Sequence, residues 1–162
     1  MAEQYTINGK WLKSLFGITV YKDSGVRESS DSFMAWPDRK ESLTVERQDE
    51  DGLQVDLASP KFASREFVLK CALNANNRAD YFNKYNGFRT EVFAADTHEL
   101  YVADQDQLYY VYYKKQANFK TLSNINNDGV WATFDVIFGE RNPSENMQSV
   151  YLVDDQDRFL IA

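Results

Sequence analysis

The chain is poor in the residues that most often carry chemistry. Among 162 residues there is one cysteine, Cys71, and one histidine, His98. That excludes an intrachain disulfide and most zinc, haem and iron–sulfur sites. Glycine occurs seven times and never as Gly-x-Gly, so the glycine-rich backbone that cradles phosphates ahead of a helix is missing. No cofactor is expected. Three prolines provide no linker, and a single domain over 1–162 follows. Cationic residues are in deficit as well. Against 25 Asp and Glu stand 18 Lys and Arg, a net charge of −7, which opposes general binding to nucleic acid or to an anionic membrane. No apolar run approaches the ~20 residues that cross a bilayer. The start, Met-Ala-Glu-Gln-Tyr-Thr-Ile-Asn, has neither the basic nor the apolar region of a signal peptide, so a cytoplasmic site of synthesis and residence is expected.

What the chain does have is an apolar content of 43% and many rings: 11 Phe, 10 Tyr and 3 Trp. Its apolar residues recur mostly with period two. Leu43 and Val45, then Leu53, Val55 and Leu57, predict a hairpin over 42–57. Residues 65–73 predict a strand, as do 88–94, 99–103, 107–114 and 117–122. Val130, Ala132, Phe134, Val136 and Phe138 give the longest clean alternation, and 149–153 with 158–161 predict a short C-terminal hairpin (149–161) through the turn Asp154-Asp155-Gln156-Asp157. One helix interrupts them at about 75–86. Asn74 or Asn76 would cap it, Ala79, Phe82 and Tyr85 share a face, and Gly87 stands where a left-handed C-terminal residue belongs. The expected class is mainly β (α+β), a β-sandwich or partly open barrel with one flanking helix. Segments 102–108 and 153–159 resemble each other through an Asp-rich turn, and shared turn chemistry accounts for that more economically than duplication.

Catalytic constellations are not found. His98 lies in the polar stretch Ala94-Ala95-Asp96-Thr97-His98-Glu99 and reads as a solvated loop residue, and no Gly-x-Ser-x-Gly elbow accompanies it. Asp49, Asp51 and Gly52 match inner positions of a calcium loop, but Arg47 and Ala58 stand where its two essential acidic ligands belong. No metal site is expected. Cys71 alternates with Leu69 and Leu73 and reads as a small buried hydrophobe. The chain is expected not to be an enzyme.

The informative segment is Leu108-Tyr109-Tyr110-Val111-Tyr112-Tyr113, which puts large rings on both faces of one strand. A sheet with one solvated face alternates apolar with polar. Such a strand is either sandwiched within the monomer or covered by a partner. Trp131 and Phe93 pose the same question, and Tyr and Trp favour interfaces because they join large apolar area to a polar tip. Phe93, Tyr110, Tyr112 and Trp131 are therefore the candidate subunit-interface residues. Core packing under the helix and the N-terminal segment is the competing account.

The order of elements carries a resemblance. It runs from Phe33-Met34-Ala35-Trp36-Pro37-Asp38-Arg39-Lys40 through Thr44-Val45-Glu46 to Asp51-Gly52-Leu53-Gln54-Val55-Asp56-Leu57. It continues with Arg65-Glu66-Phe67-Val68-Leu69, the helix Arg78-Ala79-Asp80-Tyr81-Phe82, the aromatic strand and Thr133-Phe134-Asp135-Val136-Ile137-Phe138. Over residues 5–143 this resembles the N-terminal domain of distal tail proteins and related tail-tube components of long-tailed bacteriophages and prophages. The resemblance implies a structural subunit that associates side by side into a ring, usually sixfold, around the channel through which DNA passes. Its partners would be copies of itself and other tail proteins. Its location would be the cytoplasm of the bacterial host during assembly and then the virion tail. A short hairpin stands where long distal tail proteins have a larger C-terminal region, so receptor or sugar binding by an added domain is not implied. The alternative from another class is a monomeric β-barrel binding a sugar or small apolar ligand through its tyrosines.

Overall fold

The computed structural model describes residues 4–22, 25, 28–41, 44–45, 48–49, 51, 54–55, 57–58, 60–146, 152–153 and 159–160. The elements in chain order are β1 (Tyr5–Ile7), β2 (Lys10–Trp11), α1 (Leu12–Phe16), β3 (Ile18–Val20), α2 (Glu28–Met34), β4 (Thr44–Val45) and β5 (Gln54–Val55). Then follow β6 (Glu66–Ala75), α3 (Arg78–Phe93), β7 (His98–Val102), β8 (Gln107–Thr121), β9 (Val130–Gly139), α4 (Pro143–Asn146), β10 (Leu152–Val153) and β11 (Phe159–Leu160). Seven strands form one antiparallel sheet in the order β2-β1-β7-β8-β9-β6-β3. The expected mainly β, α+β class is the one observed.

The centre of the sheet is the ladder of β6 on β9, unbroken from Glu66↔Gly139 to Ala75↔Val130. Side chains alternate across a strand, so Phe67, Leu69, Cys71 and Leu73 share one face with Phe138, Val136, Phe134 and Ala132, and all eight are buried. Each large one contributes about 1.5–3 kcal/mol of burial free energy. β8 is the long strand that joins two halves of the sheet. Its residues 107–111 pair with β7 and its residues 112–121 with β9.

Helices cover the apolar face. α3 begins at Asn77, whose side chain accepts from Asp80 N at 2.9 Å, while the Asp80 carboxylate accepts from Asn76 N at 2.9 Å. This reciprocal cap satisfies two orphan donors. α3 buries Tyr81, Phe88 and Val92, with Phe88 against Phe134 at 6.2 Å between ring centroids. Phe16 of α1 meets Phe88 at 5.6 Å. α2 closes part of the β6 edge: Ser29 Oγ accepts from Lys70 N at 2.9 Å, and Phe33 stacks on Phe67 at 4.6 Å.

Several expectations are corrected. The helix expected at 75–86 starts after Asn77, not Asn74 or Asn76, and continues through the segment 88–94 that reads as a strand. Gly87 lies inside it, where an added Cβ would sit 3.6 Å from the Phe16 ring; the small residue admits α1 instead of ending α3. Tyr81, not Phe82, is the buried ring of the first turns. Segments 107–114 and 117–122 are one strand with irregularities at Tyr113/Lys115 and Ala117/Lys120. The N-terminal third also holds elements the periodicity does not show. β1 and β2 form a hairpin through Asn8 (φ 49°) and Gly9 (φ 76°), the Asn-Gly turn whose twist matches flanking strands.

Two hairpins stand apart. β4 pairs with β5 within the expected 42–57, and β10 with β11 within the expected 149–161. Residues 48–49, 51 and 57 of the first are also described, whereas the rest of that hairpin and the remainder of 149–161, including the turn Asp154–Asp157, lie outside the described residues.

Candidate interaction surface

The two-sided aromatic strand divides cleanly. Tyr109 and Val111 are buried and Tyr113 packs against the core, whereas Tyr110 and Tyr112 point to the reverse face, away from α3. Tyr112 stands opposite Gly139 and its ring lies across that residue: an added Cβ on Gly139 would be 2.7 Å from Tyr112 Cζ. The glycine thus makes room for an aromatic ring on the outer face. Tyr110 is half-buried, and its backbone is completed by a side chain. Asn146 Oδ1 accepts from Tyr110 N at 2.6 Å and Asn146 Nδ2 donates to Tyr110 O at 3.1 Å.

Trp131 is 48% exposed on the same reverse face, opposite Asn74. Leu122, 64% exposed, donates its backbone N–H to Trp131 O at 2.8 Å, so the two apolar residues are cross-strand neighbours. Tyr112 and Trp131 nevertheless sit at opposite ends of β9, about 26 Å apart at ~3.3 Å per residue. Phe93 belongs to the helix side. It is exposed and packs on Tyr113 at 5.0 Å. The four candidate residues are therefore three separate positions, two on the outer sheet face and one at the C-terminal end of α3. Helix α3 covers the rings of the inner face and leaves Tyr112 and Trp131 uncovered.

Other exposed rings escape the sequence reading, Trp36 most of all. Trp36 is 92% exposed, next to the exposed Met34 and to Pro37. Its only signal in the sequence is a tryptophan beside a proline outside any periodic run. It lies above a cleft lined by Arg65, Gln105, Gln107, Tyr109 and Asn146.

Beneath that cleft is a buried polar hub. Glu140 is 1% exposed. Its Oε1 accepts from Arg65 Nε at 2.7 Å and from Arg65 N at 2.9 Å, and its Oε2 accepts from an Arg65 terminal nitrogen at 2.9 Å and from Asn146 Nδ2 at 2.8 Å. Burial alone would raise the Glu140 carboxyl; the hydrogen bonds from Arg65 and Asn146 and the guanidinium charge outweigh it and hold the pKa below its ordinary value. Arg65 also donates to the carbonyls of Phe33 at 3.3 Å and Ala35 at 2.6 Å. The hub thereby joins the end of α2, the approach to β6, the end of β9 and α4. Charged groups at this depth are a positioning device, with every bond satisfied.

His98 is corrected from a solvated loop residue to a buried one that opens β7. Its Nε2 lies 2.9 Å from the Val92 carbonyl and its Nδ1 3.3 Å from Asn8 Nδ2. It ties the end of α3 to the β1–β2 turn. Cys71 is fully buried as expected, and burial pushes its thiol pKa up. Among the described residues no three His, Cys, Asp or Glu are placed to share a metal ion, and no helix is long and apolar enough to cross a membrane. An aromatic cleft between α3 and β8, lined by Tyr85, Phe88, Phe93, Tyr113 and Phe134, holds about 50 Å³; pockets for small organic ligands hold roughly 300–1,000 Å³.

The sequence matches no known protein family and no curated protein. The fold is similar to that of the solved SPP1 Dit protein (gp 19.1), described as a paradigm of the hub adsorption apparatus in phages that infect Gram-positive bacteria. The TM-score is 0.59 at 10% identity, over 86% of this chain and 50% of that one. This chain thus spans about half the length of the phage protein it matches, and the likeness is one of fold.

Proposed function

We propose that this chain is a non-catalytic structural subunit of a phage or prophage tail, of the distal tail or tube-like kind, that assembles into a ring with copies of itself and with other tail proteins. The observation that carries the reading is the likeness in fold to a phage hub protein over 86% of the chain, joined to large rings left uncovered on the outer face of the sheet. Tyr112 and Trp131 offer apolar area with polar tips, the composition of interface anchors. Their separation suits a ring, in which each subunit meets its two neighbours through different surfaces. The charge of −7 opposes adhesion of DNA phosphates, a useful property beside a DNA channel. Assembly would begin in the bacterial cytoplasm and end in the virion tail.

The test is absolute mass by light scattering across a wide concentration range, with negative-stain images of any large species. A discrete ring is expected. A strict monomer at every concentration overturns self-assembly and returns the tyrosines to a ligand-binding role. Tyr112→Ser and Trp131→Ser should weaken assembly while changing folding stability by less than about 1 kcal/mol, as exposed positions do. Equal loss of both would assign these rings to the fold.

A further inference from the structure

We infer that copies meet through the two halves of the sheet's outer face, a contact that rests on the ring reading above. The acidic, aromatic half of one copy lies on the lysine-bearing half of the next.

Strand alternation defines both halves. On the first, Trp11 of β2 pairs with Thr6 of β1, Thr6 with Tyr101 of β7, and Tyr101 with Leu108 of β8, so the four cross the sheet as one row. They alternate with the buried Ile7, Leu100, Val102 and Tyr109, and therefore turn outward. Trp11 is 38% exposed. The charged groups beside this row are carboxylates. Glu99 is exposed and level with Tyr110, and Asp106 is exposed and accepts from the Tyr101 hydroxyl at 2.6 Å. Lys10 of β2 turns the other way, to Glu91 of α3. No other Lys or Arg stands on these strands among the described residues.

The second half reverses the sign. Beyond Tyr112, the outer face of β8, β9 and β6 carries Lys70, Lys114, Lys115 and Lys120. Two carboxylates share it: Glu66, paired with Lys114, and Asp135, which is buried and accepts from Asn118 at 2.7 Å. Lys115 and Lys120 are exposed, as are the neighbouring Leu122 and Trp131. Asp128 lies outside this face, in the loop between β8 and β9.

The opposite charges do not neutralise each other within one copy. Glu99 stands level with Tyr110, roughly 17 Å along β8 from Lys115 and roughly 33 Å from Lys120 at ~3.3 Å per residue. Both separations exceed the ~8 Å over which salt screens exposed charges. The halves also face different ways. β8 exchanges β7 for β9 at Val111 and Tyr112, and its irregularity between Tyr113 and Lys115 falls at that junction, where a bulge bends a strand. Phe33 touches Phe67 of β6 at 4.6 Å and Tyr109 of β8 at 4.8 Å, so both inner faces close on one core and the outer faces diverge. Laying either half on its own counterpart sets acid against acid or lysine against lysine. Acidic half on lysine half is the complementary match, with the exposed rings of each supplying apolar area. The two surfaces are different, so the contact is head-to-tail, as a closed ring requires.

Two full-length variants test this, each checked for native fold by circular dichroism: Glu99→Lys with Asp106→Asn, and Lys115→Glu with Lys120→Glu. Asparagine tolerates the left-handed backbone of Asp106 (φ 47°) and keeps an acceptor for the Tyr101 hydroxyl. Each variant alone should raise the concentration at which assemblies form by about tenfold or more, because like charges then face each other. An equimolar mixture should recover wild-type assembly, since each reversed surface meets its complement on the other variant. Wild-type assembly should also weaken as salt is raised. If both variants assemble like wild type, or wild-type assembly ignores salt, the charge match is wrong and the ring reading stands. Loss of assembly without recovery on mixing also overturns the match. A wild-type chain that is monomeric throughout overturns the ring reading and the match together.

Discussion

Replacing Glu140 by Gln is the most discriminating perturbation of the fold. The substitution keeps the shape of the side chain and removes its charge. Arg65, whose side chain is only 11% exposed, is then left with the Phe33 and Ala35 carbonyls as its acceptors of full strength. The new amide also turns a donor toward either Arg65 or Asn146, both of which are donors themselves. Breaking a buried ion pair by removing one partner costs about 3–5 kcal/mol, a large fraction of the ~5–15 kcal/mol that stabilises a typical domain. At about 2–4 °C per kcal/mol for a chain of this size, the melting temperature should fall by roughly 6–20 °C. Urea unfolding gives the free energy directly, and an unchanged m-value would show that the denatured state is not responsible. The pH dependence provides a second readout. Because the folded pKa of Glu140 lies below its ordinary value, the carboxylate contributes stability that is fully present above the ordinary range near pH 4.3. That contribution is lost as pH falls through the lower, folded pKa. The difference between wild type and Glu140→Gln should therefore be constant at neutral pH and shrink in acid. A loss below about 1 kcal/mol at pH 7, the range of exposed pairs such as Arg141–Glu145, would refute the assignment of this hub as the clamp between β9, β6 and α4.

Other outcomes follow from single sites. Phe134→Ala should destabilise by about 3–5 kcal/mol in the same urea titration, since the ring is 1% exposed and touches Tyr85, Phe88 and Phe119; a loss under 1 kcal/mol would show that the helix–sheet interface is not the core. Asn77→Ala should cost about 1 kcal/mol by loss of the α3 cap, with Asn77→Ser recovering most of it. Gly17→Ala should cost more than 1 kcal/mol, because Gly17 has φ 62° and an added Cβ would fall 2.6 Å from Asn74 O; wild-type stability would disprove that close approach. Cys71 should resist iodoacetamide in the native protein and react once the chain is unfolded, and rapid native alkylation would contradict its burial.

What the sequence shows and hides has a physical pattern. β6 and β9 are legible because each has one face in the core and one outside, so their apolar residues repeat with period two. α3 is half hidden. Phe82 and Phe93 are exposed while Phe88 and Val92 are buried, so apolar residues lie around its circumference and no stripe marks it. Gly87 then looks like an end when it is a packing site. α2 is hidden for a different reason: Ser29 and Ser32 bond the sheet edge through hydroxyls, which no hydrophobic count detects. The Asn8-Gly9 turn was a readable hairpin signal with strands too short to reinforce it. Among the candidate interface residues, Trp131 and Tyr112 follow from strand alternation. Trp36 does not, since exposure of a loop residue is set by tertiary structure, and the Arg65–Glu140–Asn146 hub joins residues 75 positions apart in sequence.

The strand order also dictates a timetable for synthesis. β6 lies between β9 and β3, yet β9 emerges from the ribosome roughly 60 residues later, a delay of about 3–12 s at ~5–20 residues per second. During that interval one side of β6 has no partner, and β1 waits for β7 as well. Helix α3 follows β6 immediately in the chain and packs on the same apolar face, and helices form within about a microsecond. The nascent chain therefore carries its own temporary cover for its most hydrophobic strand until the last long hairpin arrives to complete the sheet.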